Sequence, residues 1–396
     1  MIDPLYPCFA RADVAFERGE GAWLFGTDGK RYLDCATGIA VTGLGHSHPR
    51  LVDVLKRQAE RLWHVSNAVR IPEQEQLAEK LCAATFADRV FFSNSGAEAV
   101  ETAIKTARRY HHVNGRPERW RLITFEGAFH GRTLATVAAG GQPKYLEGFG
   151  APVDGFDQVP FGDLDALEAA IGPETASVLI EPVQGESGVR SLPAGALAHI
   201  RALCDRHGLL LVLDEVQTGI GRAGHLFAYQ ATGIAPDILA SAKGLGNGFP
   251  VAACLATEAA AAGMTPGTHG STFGGNPLAM VVASEVLDIM LEPGFFDSVR
   301  GTGAHLRAGL DAFVAEHPEL FEDARGEGLL LGLKCRRPVR DVLQALRAEG
   351  VLSVAAGNDV LRLLPPLTLS VPEADELVKR LQQTAIALSN PAGIAA

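Results

Sequence analysis

Four short stretches of the 396-residue chain carry residue types that could do chemistry, and each begins where an apolar run ends. Ser95-Gly96-Ala97-Glu98 follows the run VFFSN and opens a helical pattern. Ser95 can cap that helix, with Glu98 completing a capping box. Gly96 admits close backbone approach, and the free N–H groups at the positive helix end suit a phosphate. An ordinary capped helix would read the same way. Asp214 closes the run LLLVLD. A carboxylate at the carboxyl end of such a strand lies where open α/β sheets bind ligands. It needs a cation or a strong donor there. A protonated pyridine nitrogen meets that need; a metal or a helix N-terminus would serve too. Lys243 follows the apolar run of DILASAKGLGNGFP and precedes Gly244, Gly246 and Gly248. It could be a phosphate ligand, a Schiff-base former or a surface residue, and GLGNG lacks the GxGxxG spacing of a dinucleotide loop. Phe129-His130-Gly131-Arg132-Thr133 offers an aromatic face and a guanidinium able to grip a carboxylate bidentately. His46 and His48, in GLGHSHP, fix a glycine-proline turn more simply than they bind a metal, and no metal centre is expected.

Those residues need a scaffold. Runs rich in β-branched and apolar residues predict strands at Arg89–Ser93, Leu122–Phe125, Ala176–Pro182, Leu209–Val216 and Val251–Ala256. They lack alternation, so they read as strands covered on both faces, in a mainly parallel sheet. Helices are predicted at Glu73–Ala83, Glu98–His111 and Leu192–Arg206. The ends differ. Residues 14–35 show short strands with Gly-Thr-Asp-Gly turn chemistry, and beyond about 295 helices alternate with the strands GLLLGLKC and DVLRLLPP. The expected fold is α/β: a large domain over 56–280, and a small α+β domain from the N-terminal 1–55 and the C-terminal part of 281–396. The alanine-rich stretch 259–263 reads as helix or loop, and the last residues, NPAGIAA, as frayed.

In order along the chain, LDCATGIAVTGLGHSHP, FFSNSGAEAVETAIKTAR, FEGAFHGRT, IEPVQGESGV, LVLDEVQTGIGRAG, SAKGLGNGFPVAA, HGSTFGGNPLA and LRLLPPL resemble the class III (ω-type) aminotransferases of PLP fold type I. The resemblance spans essentially the full length and is nearest to members acting on N-acetylornithine. It implies pyridoxal 5'-phosphate as cofactor, with Lys243 as the Schiff-base lysine and Asp214 facing the pyridine nitrogen. It implies Gln217 near the phenolic oxygen, Gly96 and Ala97 at the phosphate, and Phe129 stacked on the ring. Thr272 matches a residue that reaches the phosphate of a neighbouring subunit, with Ser271 beside it near substrate, which implies a homodimer with shared sites. Arg132 matches the carboxylate-binding arginine, and Glu186 with Arg362 the pair that handles two different substrates. The implied reaction moves the ω-amino group of N-acetylornithine, or a related N-acylated ω-amino acid, to 2-oxoglutarate, giving glutamate. The alternatives are another ω-aminotransferase, acting on ornithine, 4-aminobutyrate, succinylornithine or succinyl-diaminopimelate, an aminomutase on the same scaffold, and a non-catalytic cofactor binder. Val100 stands where relatives commonly carry asparagine, which implies a packing change. Ile39 stands where the ornithine enzymes carry a tyrosine, which suits an acylated α-nitrogen.

Composition narrows the partners. A net charge of −11 disfavours nucleic acid and anionic membrane. No apolar run approaches the roughly 18 residues of a membrane span, and the start MIDPLYPCFARAD does not read as a secretory signal. Six cysteines without CxxC spacing suit a reducing cytoplasm.

Overall fold

The computed structural model describes residues 4–389. Its central sheet has seven strands, in the order Arg89–Ser93, Ala252–Ala256, Ile238–Ser241, Leu210–Asp214, Thr175–Ile180, Arg121–Phe125 and Phe156–Val159. The middle of the sheet is parallel. Every residue of Thr175–Ile180, Leu210–Asp214 and Ile238–Ser241 is buried, which explains their unbroken apolar pattern.

Ala252–Ala256 runs antiparallel to both neighbours, so the sheet is mixed at that edge. Two strands escaped the sequence reading. Ile238–Ser241 is only four residues long, and Phe156–Val159 carries Asp and Gln in its middle. The helix expected from Leu192 starts at Ala196, because Pro193 and Gly195, at φ 79°, hold the chain out of helical geometry. The helices Pro72–Ala84 and Gly96–Val113 form as expected, one turn longer at most. The first part of the alanine-rich stretch 259–263 lies in a short helix, Glu258–Ala261, behind the Thr257 cap. The NPAGIAA segment lies outside the described residues.

Helix Gly96–Val113 packs on Ile238–Ser241 and Ala252–Ala256, and helix Ala196–His207 on Leu210–Asp214. Val100 is fully buried in the core between that first helix and the sheet. A second sheet joins the two ends of the chain: Phe16–Glu20, Trp23–Gly26 and Arg31–Asp34 form a meander, and Val351–Leu352 pairs parallel with the last of these. An antiparallel sheet of Phe321–Glu327, Leu330–Cys335, Val360–Leu363 and Val354–Ala356 lies beside it in sequence, with helices Phe295–Glu316 and Val371–Ser389 packed together. Among the described residues, no helix is long and apolar enough to cross a membrane.

Candidate active site

The carboxyl ends of the parallel strands and the helix that starts at Gly96 meet at a cavity of about 290 Å³. Gly96, Ala97, Phe129, Asp214, Gln217 and Lys243 all line it. So do Ser95, His130, Glu181 and Val216. The site residues named from the sequence therefore fall into one wall-to-wall set, apart from Thr272, Ser271, Arg132, Glu186 and Arg362.

The helix end is built as the capping residues demand. Glu98 N–H donates to Ser95 Oγ at 3.3 Å, and Glu98 Oε2 accepts from Asn94 N–H at 2.7 Å. The Gly96 and Ala97 amides make no hydrogen bond among the described residues, which leaves two donors at the positive end of an 18-residue helix. Gly96 is required there: a Cβ would lie 2.7 Å from Val216 Cγ1.

Asp214 is 3% exposed and both its oxygens are engaged. Oδ1 accepts from Val216 N–H at 3.0 Å, and Oδ2 lies 2.8 Å from His130 Nδ1. Burial alone would lower the His130 pKa; the Asp214 hydrogen bond and charge, with Glu181, outweigh burial and raise it. Behind this pair Glu181 Oε1 accepts from Phe129 N–H at 2.9 Å. Burial pushes the Glu181 carboxyl up to about 8, with His130 opposing and Asp214 reinforcing. His130 and Glu181 have no role in the sequence reading. His130 was visible only as the neighbour of Phe129, and nothing local signals its partner 84 residues away.

Lys243 follows strand Ile238–Ser241 after Ala242 and holds φ at 47°, the left-handed region that non-glycine residues avoid at a cost of about 1 kcal/mol or more. The next turn is pinned: Asn247 accepts from Leu44 N–H at 2.6 Å and donates to Gly45 O at 3.1 Å. His46 is part of the same support, its Nε2 2.8 Å from Asp34 Oδ2, while Asp34 Oδ1 accepts from the Ala36 and Thr37 amides. Thr37, Gly38, Ile39 and Ala40 all take positive φ, a left-handed turn that leads into Val41 in the cavity wall; Ile39 is 43% exposed. The Lys243 side chain makes no hydrogen bond or ion pair among the described residues. Burial and the Arg362 cation pull its amine from 10.5 down to about 8, against Asp214, Glu181 and Glu186.

Arg362 reaches the rim of this cavity through Gln217. Its Nη1 donates to Gln217 Oε1 at 3.0 Å and its Nη2 to Glu186 Oε2 at 2.9 Å. The guanidinium is 1% exposed and the Glu186 side chain 28% exposed, so the carboxylate is the member of the pair that can leave. Gly185 makes room, since a Cβ there would overlap Gln217 Oε1. Arg132 stands beyond Phe129, outside this cavity, with its Cζ 5.5 Å from the Phe129 ring centroid and 4.0 Å from that of Tyr145. It has no ion-pair or hydrogen-bond partner among the described residues. Ser271 Oγ lies 3.3 Å from Asn94 Nδ2, beside the cavity. Thr272 is exposed and does not line the cavity of its own chain.

A buried amine that sheds its proton more readily than an ordinary lysine, a buried carboxylate, free helix amides and an aromatic wall around one cavity suit a flat, phosphate-bearing carbonyl compound with a basic ring nitrogen. Comparison with known proteins decides the family: the family described as "Aminotransferase class-III" matches residues 9–385. The chain belongs to the class-III aminotransferases. Within that family it is 60% identical over 386 residues to the acetylornithine aminotransferase of Agrobacterium fabrum, covering 98% of this chain and 97% of the other. The acetylornithine aminotransferase of Brucella melitensis is 58% identical over 392 residues, covering 98% and 97%. Among solved structures, the Toxoplasma gondii ornithine aminotransferase superposes with a TM-score of 0.93 at 32% identity, covering 98% of this chain and 93% of the other, and has PLP at partial occupancy in its active site. The N-acetylornithine aminotransferase of Stenotrophomonas maltophilia superposes with a TM-score of 0.85 at 38% identity, covering 96% and 98%.

Proposed function

We infer that this aminotransferase moves the ω-amino group of N-acetylornithine to 2-oxoglutarate, using pyridoxal phosphate. The observation that carries the reading is the pairing of two arginines with different protection. Arg362 is covered by Glu186, and Arg132 is open. An ω-amine donor carries its carboxylate several bonds from the reacting nitrogen, and Arg132 suits it. 2-Oxoglutarate carries one carboxylate next to the reacting carbon and one distal. Arg362 suits the first once Glu186 swings away, and Arg132 the second. One site thus accepts two substrates of different charge without an unpaired buried guanidinium in either case.

The cofactor, when bound, supplies an electron sink for the pair left when the substrate carbon loses its proton. The chain's own residues do the rest. Gly96 and Ala97 amides would hold the phosphate, and Phe129 would fix the ring plane. Asp214 Oδ2, steadied by His130 Nδ1, would keep a ring nitrogen protonated. Gln217 would sit by the phenolic oxygen. Lys243 Nζ would hold the cofactor covalently and, when free, take and return a proton at the substrate carbon bearing the amine.

The pKa of Lys243 gives a pH signature. Only the neutral amine attacks a carbonyl, and a fall from 10.5 to about 8 moves neutralisation into the working range. The rate at which apoprotein takes up pyridoxal phosphate should therefore climb about tenfold per pH unit below 8 and level off above it. Stopped-flow absorbance checks this. A rate still climbing at pH 10 would show an ordinary lysine.

The donor is tested with N-acetylornithine and ornithine against 2-oxoglutarate, reading glutamate. Ile39 offers a free α-ammonium no hydrogen-bonding group, so N-acetylornithine should show the higher kcat/KM. Arg132→Ala should lower that value by about 10²-fold or more. Higher efficiency on ornithine, or an unaffected Arg132→Ala variant, would defeat the assignment.

We also propose a homodimer in the cytoplasm. The exposure of Thr272 supports the first, and six unpaired cysteines suit the second. If Thr272 serves the partner's phosphate, equal mixing of inactive Lys243→Ala and Thr272→Ala chains should restore about a quarter of the sites. Full activity in a monomeric fraction would contradict it.

A further inference from the structure

With no side-chain partner for Lys243 among the described residues, its place is set by the turn Lys243–Gly246 that carries it. That turn is bounded by two left-handed residues, Lys243 at φ 47° and Asn247 at φ 45°. Glycine would take the second conformation with the least strain. Asparagine stands there instead, and its side chain crosses to a segment some 200 residues earlier: Oδ1 accepts from Leu44 N–H at 2.6 Å, and Nδ2 donates to Gly45 O at 3.1 Å. We propose that Asn247 is a positioning residue, whose two-point clasp holds the Lys243 turn and the segment bearing Val41 together around one cavity. The proposal rests on the functional reading above and adds what keeps its lysine in place.

The anchor is stiff. Leu44 is buried, and Gly45 takes φ 77°, where a Cβ would lie 2.8 Å from Gly21 O. His46 exchanges both backbone hydrogen bonds with Gly21, at 3.1 and 2.8 Å, and its ring nitrogen meets Asp34 at 2.8 Å. Asn247 thus ties the turn to the N-terminal meander. Neither Leu44 N–H nor Gly45 O has another partner among the described residues, so the amide satisfies two groups that would otherwise stand unpaired. On the other side, Gly246 lies where a Cβ would come 2.7 Å from Val251 Cγ1, and Gly248 backs onto Thr42, whose Cγ2 a Cβ would meet at 3.7 Å. Lys243, Gly248, Phe249 and Val251 line the cavity, and so does Val41. Asn247 lies between Lys243 and Gly248, at the point where the two segments join.

The clasp bears on the chemistry through the surroundings of Nζ. Burial and the Arg362 cation hold the amine below its ordinary range. A turn released from Leu44 and Gly45 can draw back, which admits water to Nζ and lets the amine keep its proton to higher pH. The same release moves the base away from the substrate carbon. Binding of 2-oxoglutarate should not change, because Arg362 and Arg132, the groups that suit its carboxylates, do not touch Asn247.

The test follows pyridoxal phosphate uptake by apoprotein against pH, by absorbance, in the wild type, Asn247→Gly and Asn247→Ser. Glycine keeps the left-handed backbone and serine stops short of Gly45 O, so both variants should fold, and thermal melting checks that they do. The midpoint of the pH profile should rise by about one unit in each, so that uptake is about tenfold slower at pH 7 and equals that of the wild type at pH 10. Their kcat should fall about tenfold, with the KM for 2-oxoglutarate within about twofold of the wild type. Amide hydrogen exchange at Leu44 should quicken. Asp163→Ala serves as the control. It removes the Ala166 N–H contact that caps helix Leu164–Ala170, outside the cavity lining, and should lower the melting temperature without moving the midpoint. An unmoved midpoint or unchanged Leu44 exchange in the folded variants would overturn the proposal alone, as would an equal shift in Asp163→Ala. A wild type that takes up no cofactor would refute the functional reading, and the proposal with it.

Discussion

Replacing Lys243 with alanine should lower turnover by at least about 10⁴-fold while leaving the fold intact. Two losses combine. The covalent hold on the cofactor goes, and with it the base that moves the proton on the reacting carbon. No other amine can substitute, because the cavity lining contains no second lysine. The fold should not suffer, since the Lys243 side chain makes no hydrogen bond or ion pair among the described residues and its burial opposes its own charge. The variant should melt at or above the wild-type temperature, lack the visible absorption of the bound cofactor, and form no glutamate. A variant that keeps a tenth of wild-type turnover would remove Lys243 from the chemistry.

Asp214→Asn should cost about 10²–10³-fold in kcat. The shape is nearly unchanged, but an amide cannot keep a proton on a ring nitrogen. The substitution also disturbs its own support. In the wild type one oxygen accepts from Val216 N–H and the other faces His130 Nδ1. Asparagine can keep the Val216 N–H, but its amide can meet His130 Nδ1 only by donating to an unprotonated ring nitrogen, so the charge-assisted contact is lost at about 1–3 kcal/mol. A lower melting temperature should accompany the lower rate, and the absorption spectrum of the bound cofactor should shift. Near-normal turnover would mean that Asp214 only braces the strand end.

The sequence reaches far at this site because its chemistry is written in local units. Gly96 and Ala97 open a helix, while Asp214 ends a strand and Lys243 comes just after one, and strand–turn–helix grammar is readable within a dozen residues. Contacts between units are a different matter. His130 meets Asp214, and Glu181 meets the Phe129 amide, only because three strands lie side by side. The direction of Ala252–Ala256 escapes for a related reason: an apolar run has no arrow, and only the connection fixes it. The left-handed turn at Thr37–Ala40 runs against the preferences of its own residues and is held by Asp34 and by Leu364 O, more than 300 residues away. A cavity beside Arg132 is walled largely by the irregular segments 149–153 and 8–9, which carry no period to read.

The most direct measurement reduces the purified holoprotein with borohydride, digests it and maps the modified lysine by mass spectrometry. A phosphopyridoxyl group is expected on the peptide containing Lys243, in near-stoichiometric amount and on no other lysine. A fully active protein whose peptides carry no such group, or carry it elsewhere, would contradict it.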